Sequence, residues 1–308
     1  MAAGTRTSGD DESLASWGDG TARRTLLAFL EASADIDPHR RLAVFDNDGT
    51  LWCERPDYIQ AGFLASVLRA AAARDPALRC RPEYAAILDG DHDATADLGL
   101  ARVALALLEL LDDMTPDAHA EQVRTYLARA HNPVLGRPVA LTIYRPMVEL
   151  LDALRAHGFT VGIVTGGGAD FVRALSDDLY GVPSELVVGT MIEYRYCDRD
   201  GVPVIRRTRR VAGEVNEGAA KVTAIQTQLG RQPLLAAGNT PGDLEMLTVA
   251  ADQPGGLALV IDHDDAIREF AYAGGAASFE SDETLAAIAT RRGWTTVSMR
   301  DDWTRIWP

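Results

Sequence analysis

Lysine is almost absent from this chain. Of 30 lysines and arginines in 308 residues, only Lys221 is lysine. Basic residues as a class are outnumbered: 45 acidic side chains leave a net charge of −15. Nucleic acid and anionic membrane both need a basic face, so neither is expected as a partner. The one basic cluster, Arg206, Arg207, Arg209 and Arg210, is short and reads as a solvated strand end. Cysteine is limited to Cys53, Cys80 and Cys197. Odd in number and scattered, they fit a reduced, cytoplasmic protein and show no metal-ligand spacing. No apolar run reaches the roughly 20 residues of a bilayer span. The first twenty residues lack an apolar signal core and read as a flexible polar tail.

What is present is ordinary for a globular protein: 47% hydrophobic and 24% charged residues, in a chain long enough for more than one folding unit. Apolar Leu42–Phe45 stops abruptly at Asp46-Asn47-Asp48-Gly49-Thr50. Such a run predicts a strand buried on both faces of a parallel sheet. From 53 to 145 the periodicity becomes helical, interrupted by Asp-Pro, Arg-Pro, Thr-Pro and Asn-Pro steps. Strand–helix alternation resumes near 146. It includes a hairpin over about 185–212 turning at Asp200-Gly201, a helix capped by Asn216, and a last helix over 265–274. The expected fold is therefore α/β: a doubly wound, Rossmann-like parallel sheet formed by 21–52 and 146–308. A helical insertion over 53–145 follows its first strand, and a small β-hairpin forms a second insertion.

Ligands bind such sheets at the carboxyl ends of the strands, which makes four polar sets notable. Asp46 and Asp48 leave a buried strand together, and a divalent cation with oxygen ligands would compensate both. One could attack a phosphorus centre while the other protonates the leaving group; a plain Asp/Asn turn is the structural alternative. Thr165-Gly166-Gly167-Gly168 offers a hydroxyl and backbone N–H groups to an anion, or is simply a flexible turn. Lys221 falls near a helix start, where a cation is disfavoured unless an anion sits beside it. Asn239 and Asp243 stand four apart across a turn into a helix and can face one site, or Asp243 can act as an N-cap.

In the order Asp-x-Asp, Thr, Lys, Asn-x-x-x-Asp, these sets resemble the haloacid dehalogenase superfamily, specifically its phosphoserine-phosphatase-like branch. "DNDGT" and "GNTPGDLEML" carry most of the likeness. The resemblance implies a helical cap in the insertion and phosphatase chemistry on a small phosphorylated metabolite. It makes Asp46 the nucleophile, Asp48 the general acid and base, and Thr165 with the Gly166 N–H the phosphoryl cradle. Lys221 would neutralise charge, and Asp46, Asp48, Asn239 and Asp243 would organise Mg²⁺. The family's aspartate is asparagine at Asn239, which removes one negative charge. Glu54, Arg55 and Tyr58, just after the first motif, are the expected substrate contacts. The sole lysine lies in the core, so a Schiff base in the cap is excluded. A phosphotransferase and a catalytically weak binding protein are the remaining alternatives.

Overall fold

The structure, a computed structural model, describes residues 14–276, 279 and 281–308. Residues 1–13 of the expected tail lie outside the described residues. Residues 14–20 are not a tail. Leu14 and Trp17 are buried. The Trp17 indole donates to the Pro146 carbonyl at 2.9 Å, and its ring meets Trp303 edge-on at 6.0 Å. Two large apolar side chains gain more from burial than the polar residues around them gain from water.

Strand β1 (Leu42–Phe45) is buried throughout. After the helical insertion and a small ribbon, β2 (His131–Asn132) with β3 (Arg137–Pro138), come β4 (Thr160–Gly168), β5 (Val187–Arg199), β6 (Val202–Ala212), β7 (Leu235–Gly238), β8 (Leu257–Asp264), β9 (Ala271–Tyr272) and β10 (Thr295–Ser298). The main sheet runs β10-β8-β7-β1-β4-β5-β6, with β9 on β8. β1 is parallel to both β4 and β7, which centres Asp46 on the carboxyl edge of the sheet. Alternate residues of β1 feed two cores: Ala43 and Phe45 one, Leu42 and Val44 the other. Helices α1 (Thr21–Ser33) and α7 (Arg145–Ala156) cover the first face. Helices α10 (Ala219–Leu229), α11 (Leu244–Ala251) and α12 (Leu285–Arg292) cover the second. The sheet is thus doubly wound.

The insertion carries α2 (Ile59–Arg74), α3 (Pro82–Asp89), α4 (His92–Leu98), α5 (Leu100–Glu109) and α6 (Pro116–Leu127). Gly99 at φ +81° separates α4 from α5. Phe63 of α2 packs on Phe171 of the core at 5.5 Å, while Leu68, Tyr84, Val103, Ala106 and Leu107 form a small apolar cluster of their own.

After β4 come two short helices, α8 (Ala169–Arg173) and α9 (Ser176–Tyr180). Two local expectations fail. Asn216 does not cap α10, whose N-cap is Gly218; its amide donates instead to the Thr165 carbonyl at 2.9 Å. The helix over 265–274 does not form. The Asp265 carboxylate accepts the N–H groups of Ile267 and Arg268 at 3.1 and 2.9 Å, closing a turn, and Ala271–Tyr272 then returns antiparallel along β8.

The hairpin turns at Asp200 and Gly201, both at positive φ, as a two-residue turn between twisted strands requires. It grows directly from the sheet, since Val187 and Val188 pair with β4 before the ribbon departs. The basic cluster it bears is only partly solvated. Arg207 is 1% exposed and donates to Asp170 at 2.6 Å. Its backbone exchanges hydrogen bonds with Met114 and Asp113 of the insertion at 2.8 and 3.1 Å. The hairpin therefore clasps the helical insertion.

His119 of α6 lies against this clasp, 3.7 Å from Asp170 and edge-on to Phe63 at 5.8 Å. Burial, opposed by Asp170 and aided by Arg207, pushes its imidazole down to about 4. A histidine held neutral stabilises the fold above its ordinary value, and that stability is lost as pH falls through the 6.5-to-4 window. From pH 7 to 5 this one group removes about 2 kcal/mol. Urea midpoints should fall accordingly, and His119→Gln should flatten that part of the profile.

Candidate active site

The chain leaves β1 through a tight loop. The Asn47 carbonyl accepts N–H groups from Thr50 and Leu51 at 3.2 and 2.8 Å, and the Gly49 N–H donates to the Trp52 carbonyl at 2.9 Å. Gly49 has φ +74°, and a Cβ there would lie 1.9 Å from Asn239 Nδ2. Only glycine allows that approach. The loop thereby presents Asp46 and Asp48 between the ends of β4 and β7.

Lys221 enters this niche from the first turn of α10 and is 2% exposed. Its ammonium donates to Asp46 Oδ1 and Asp243 Oδ1, each at 2.6 Å, and to the Val164 carbonyl at 3.0 Å. Burial weakens its hold on the proton, but Asp243 and Asp46 outweigh that and keep the group charged. Asp46 is pushed well above the usual carboxylate range by burial and by the charge of Asp243, against the pull of Lys221. Asp48 accepts the Trp52 indole N–H at 2.8 Å. Burial, with the charge of Glu54, pushes it up to about 6, while the Trp52 bond pulls it down. A carboxyl group so placed is suited to give and take a proton near neutrality.

At the end of β4, Thr165 is fully buried and its hydroxyl accepts the Gly167 N–H at 2.9 Å. The Gly166 carbonyl accepts the Thr190 hydroxyl at 2.7 Å, and the Gly168 N–H donates to Gln60 of α2 at 2.9 Å. The helical insertion therefore touches the cradle directly, through a residue the sequence reading missed.

Asp243 is bonded through both of its carboxylate oxygens. Oδ1 takes the Lys221 bond, and Oδ2 accepts the N–H groups of Asn239 and Thr240, both at 3.1 Å. Asp243 holds the lysine and the turn after β7. Asn239 turns its amide oxygen to the Thr50 hydroxyl at 3.3 Å and its amide nitrogen to Glu54 at 3.2 Å. Glu54 is 4% exposed and also accepts the Tyr272 hydroxyl at 2.7 Å. Its carboxylate is thus held between Asn239 and Tyr272. Arg55 stacks over the Tyr272 ring at 4.3 Å, and Tyr58 is 43% exposed. Glu54, Arg55 and Tyr58 were grouped as substrate contacts, yet they sit in three different environments.

Behind this shell, His263 Nε2 donates to the Gly49 carbonyl at 2.8 Å and Nδ1 lies 3.2 Å from Glu269, which also accepts the Tyr144 hydroxyl at 2.9 Å. Glu269 and Tyr272 reach His263 only because the chain after β8 turns and returns as β9, which a helix over 265–274 does not allow.

The donor set suits a divalent cation. Among the described residues, no cationic side chain bonds Asp48 or Glu54, and one ammonium serves both Asp46 and Asp243. A niche with this excess of buried negative charge is stabilised by a hard cation. Among the described residues, no three His, Cys, Asp or Glu side chains form a ready metal cluster. The available oxygens are mixed: the Asp46 carboxylate, loop carbonyls and the Asn239 amide.

No curated protein matches the chain. A solved protein of unknown function from Bordetella pertussis Tohama I is 20% identical, covers 84% of this chain and 98% of its own, and superposes with a TM-score of 0.54. A functionally unknown protein from Anaerococcus prevotii DSM 20548 is 13% identical over 79% of this chain and 86% of its own, with a TM-score of 0.52. A probable phosphoserine phosphatase from Vibrio cholerae is 16% identical over 90% of this chain and 76% of its own, with a TM-score of 0.42. The model of the haloacid dehalogenase-like hydrolases matches residues 43–248, a span that runs from β1 through the lysine and the turn after β7 into α11. With that match across all four motifs, the chain belongs to the haloacid dehalogenase-like hydrolase family.

Proposed function

We propose that the protein is a Mg²⁺-dependent phosphomonoester hydrolase that acts on a small phosphorylated metabolite through an aspartyl-phosphate. The observation that supports this most is the buried Asp46–Lys221–Asp243 bridge at the centre of the sheet edge, beside the Thr165 cradle. Asp46 is the nucleophile. Its free oxygen attacks phosphorus, the bond to the leaving alkoxide breaks, and Asp48 gives its proton to that alkoxide. Asp48 then takes a proton from water as the water attacks the same phosphorus, releasing phosphate and restoring Asp46. Thr165 and the Gly166 N–H hold phosphoryl oxygens, and Lys221 balances charge between Asp46 and the phosphoryl group. Asp46, the Asp48 carbonyl, Asn239 and Asp243 would hold Mg²⁺, some of them through water. When bound, the cation neutralises phosphoryl charge and orients the group for in-line attack.

The helical insertion bounds the site through Gln60, and Tyr58 and Arg55 remain the nearest candidates for selecting the metabolite. A panel of phosphorylated metabolites, assayed for released phosphate with Mg²⁺ and with EDTA, tests this reading. The expected result is Mg²⁺-dependent hydrolysis of a subset of the panel. Phosphate appearing on an added alcohol instead would make the protein a phosphotransferase. No turnover of any ester would leave it a binding protein.

A further inference from the structure

We infer that Glu54 is a positioning residue for the cation site: it fixes the Asn239 amide and restores the negative charge that asparagine lacks there. The inference rests on the cation site proposed above. An asparagine at such a site has an ambiguity that a carboxylate does not, because its side chain ends in one acceptor and one pair of donors. Only the oxygen can ligate a cation. Something must therefore decide which way the amide faces.

Glu54 does this by elementary chemistry. Its ionised carboxylate has only acceptors, so the group 3.2 Å away must be the Asn239 nitrogen. The amide oxygen is then turned to the opposite side, where the hydroxyl of Thr50 meets it at 3.3 Å. Thr50 lies in the loop that carries Asp46 and Asp48, so the oxygen faces that loop. Space adds a second constraint. A Cβ on Gly49 would meet Asn239 Nδ2 at 1.9 Å and Glu54 Cδ at 3.0 Å, so both side chains are pressed over the glycine. Glu54 is itself held: Tyr272 donates to the same oxygen at 2.7 Å, its ring stacks on His263 at 4.4 Å, and Arg55 covers it at 4.3 Å. The carboxylate contributes its charge one bond removed from the site, as partners behind metal ligands do.

Mn²⁺ titration followed by electron paramagnetic resonance tests this without any substrate. Glu54→Gln should bind Mn²⁺ about tenfold more weakly than wild type, the lower end for loss of a partner behind a ligand. In an Asn239→Asp background the same change should cost nothing, because an aspartate presents oxygen on both sides and the substituted side chain's amide can donate to one of them. Equal affinity of Glu54→Gln and wild type overturns the inference. So does an equal loss in both backgrounds, which would mark Glu54 as a generic structural or charge contributor. If thermal melting shows Glu54→Gln unfolded, Glu54→Asp takes its place, since a shorter carboxylate withdraws from the amide; unchanged affinity there also overturns the inference. Absence of Mn²⁺ binding by the wild type overturns the cation site itself, and so separates that failure from a failure of Glu54 alone.

Discussion

Asp46→Asn should fold normally and lose turnover by about 10⁴-fold or more, the scale seen when a covalent nucleophile is removed. The amide is close in shape to the carboxylate, and its oxygen can still accept the Lys221 N–H now found at 2.6 Å. Lys221 also keeps Asp243 at 2.6 Å and the Val164 carbonyl at 3.0 Å, so no buried cation is left unpaired. The wild-type Asp46 carboxylate is itself under strain from burial and from the charge of Asp243. Neutralising it should therefore leave the melting temperature equal or higher. Chemistry fails for a different reason: an amide oxygen is too poor a nucleophile to form the acyl phosphate. Two measurements check this together. Phosphate release on the best ester of the panel reports turnover, and acid quench after labelled substrate reports the phosphoenzyme. A variant within tenfold of wild type, or one that still traps label on the protein, would remove Asp46 from the role of nucleophile.

The readable part of this chain follows one physical rule. A strand buried on both faces must be continuously apolar, so where polarity starts, the strand ends and the ligand edge begins. Leu42–Phe45 followed by Asp46, and Leu235–Gly238 followed by Asn239, mark the edge by that break. The hairpin was equally legible because Asp200-Gly201 suits a turn with two positive φ values. Residues 265–274 have the spacing of a helix, but the bonds of Asp265 to the backbone two and three residues on, and of Glu269 to His263, stabilise a turn. An aspartate that caps a helix and one that closes a turn read alike in sequence, and the pairing of His263 with Glu269 only has meaning once Gly49 is beside it. Arg207 shows the same limit, since its partner Asp170 stands 37 residues away. The place of Glu54 between Asn239 and Tyr272 was hidden for this reason too, because Tyr272 belongs to the segment that was misread.

Lys221→Met should cost about 3–5 kcal/mol, the usual penalty for removing one partner of a buried charge pair. Asp46 and Asp243 would then face one another with no cation between them. The loss should also grow with pH. Asp46 is already raised by burial and by the charge of Asp243, and losing the opposing pull of Lys221 raises it further, so the stability tied to its protonated form is full below the ordinary aspartate range and disappears as pH rises through the raised value. Urea unfolding at pH 5 and pH 8 reads this directly, with the larger deficit at pH 8. Lys221→Arg is the sharper test, because it keeps the charge. The niche offers three acceptors, Asp46 Oδ1, Asp243 Oδ1 and the Val164 carbonyl, and an ammonium has three N–H groups to meet them. A guanidinium brings five in one plane, so about two are left without partners in a space where lysine is only 2% exposed. The larger head also pushes Asp46 from its line of attack. Turnover should fall at least about 100-fold, since small misplacements of reacting groups have effects of that size. Wild-type turnover in Lys221→Arg would mean that charge alone is required. The expected loss instead explains why a chain that uses arginine at every other basic position keeps one lysine: three converging acceptors in a buried niche match a compact ammonium and no other side chain.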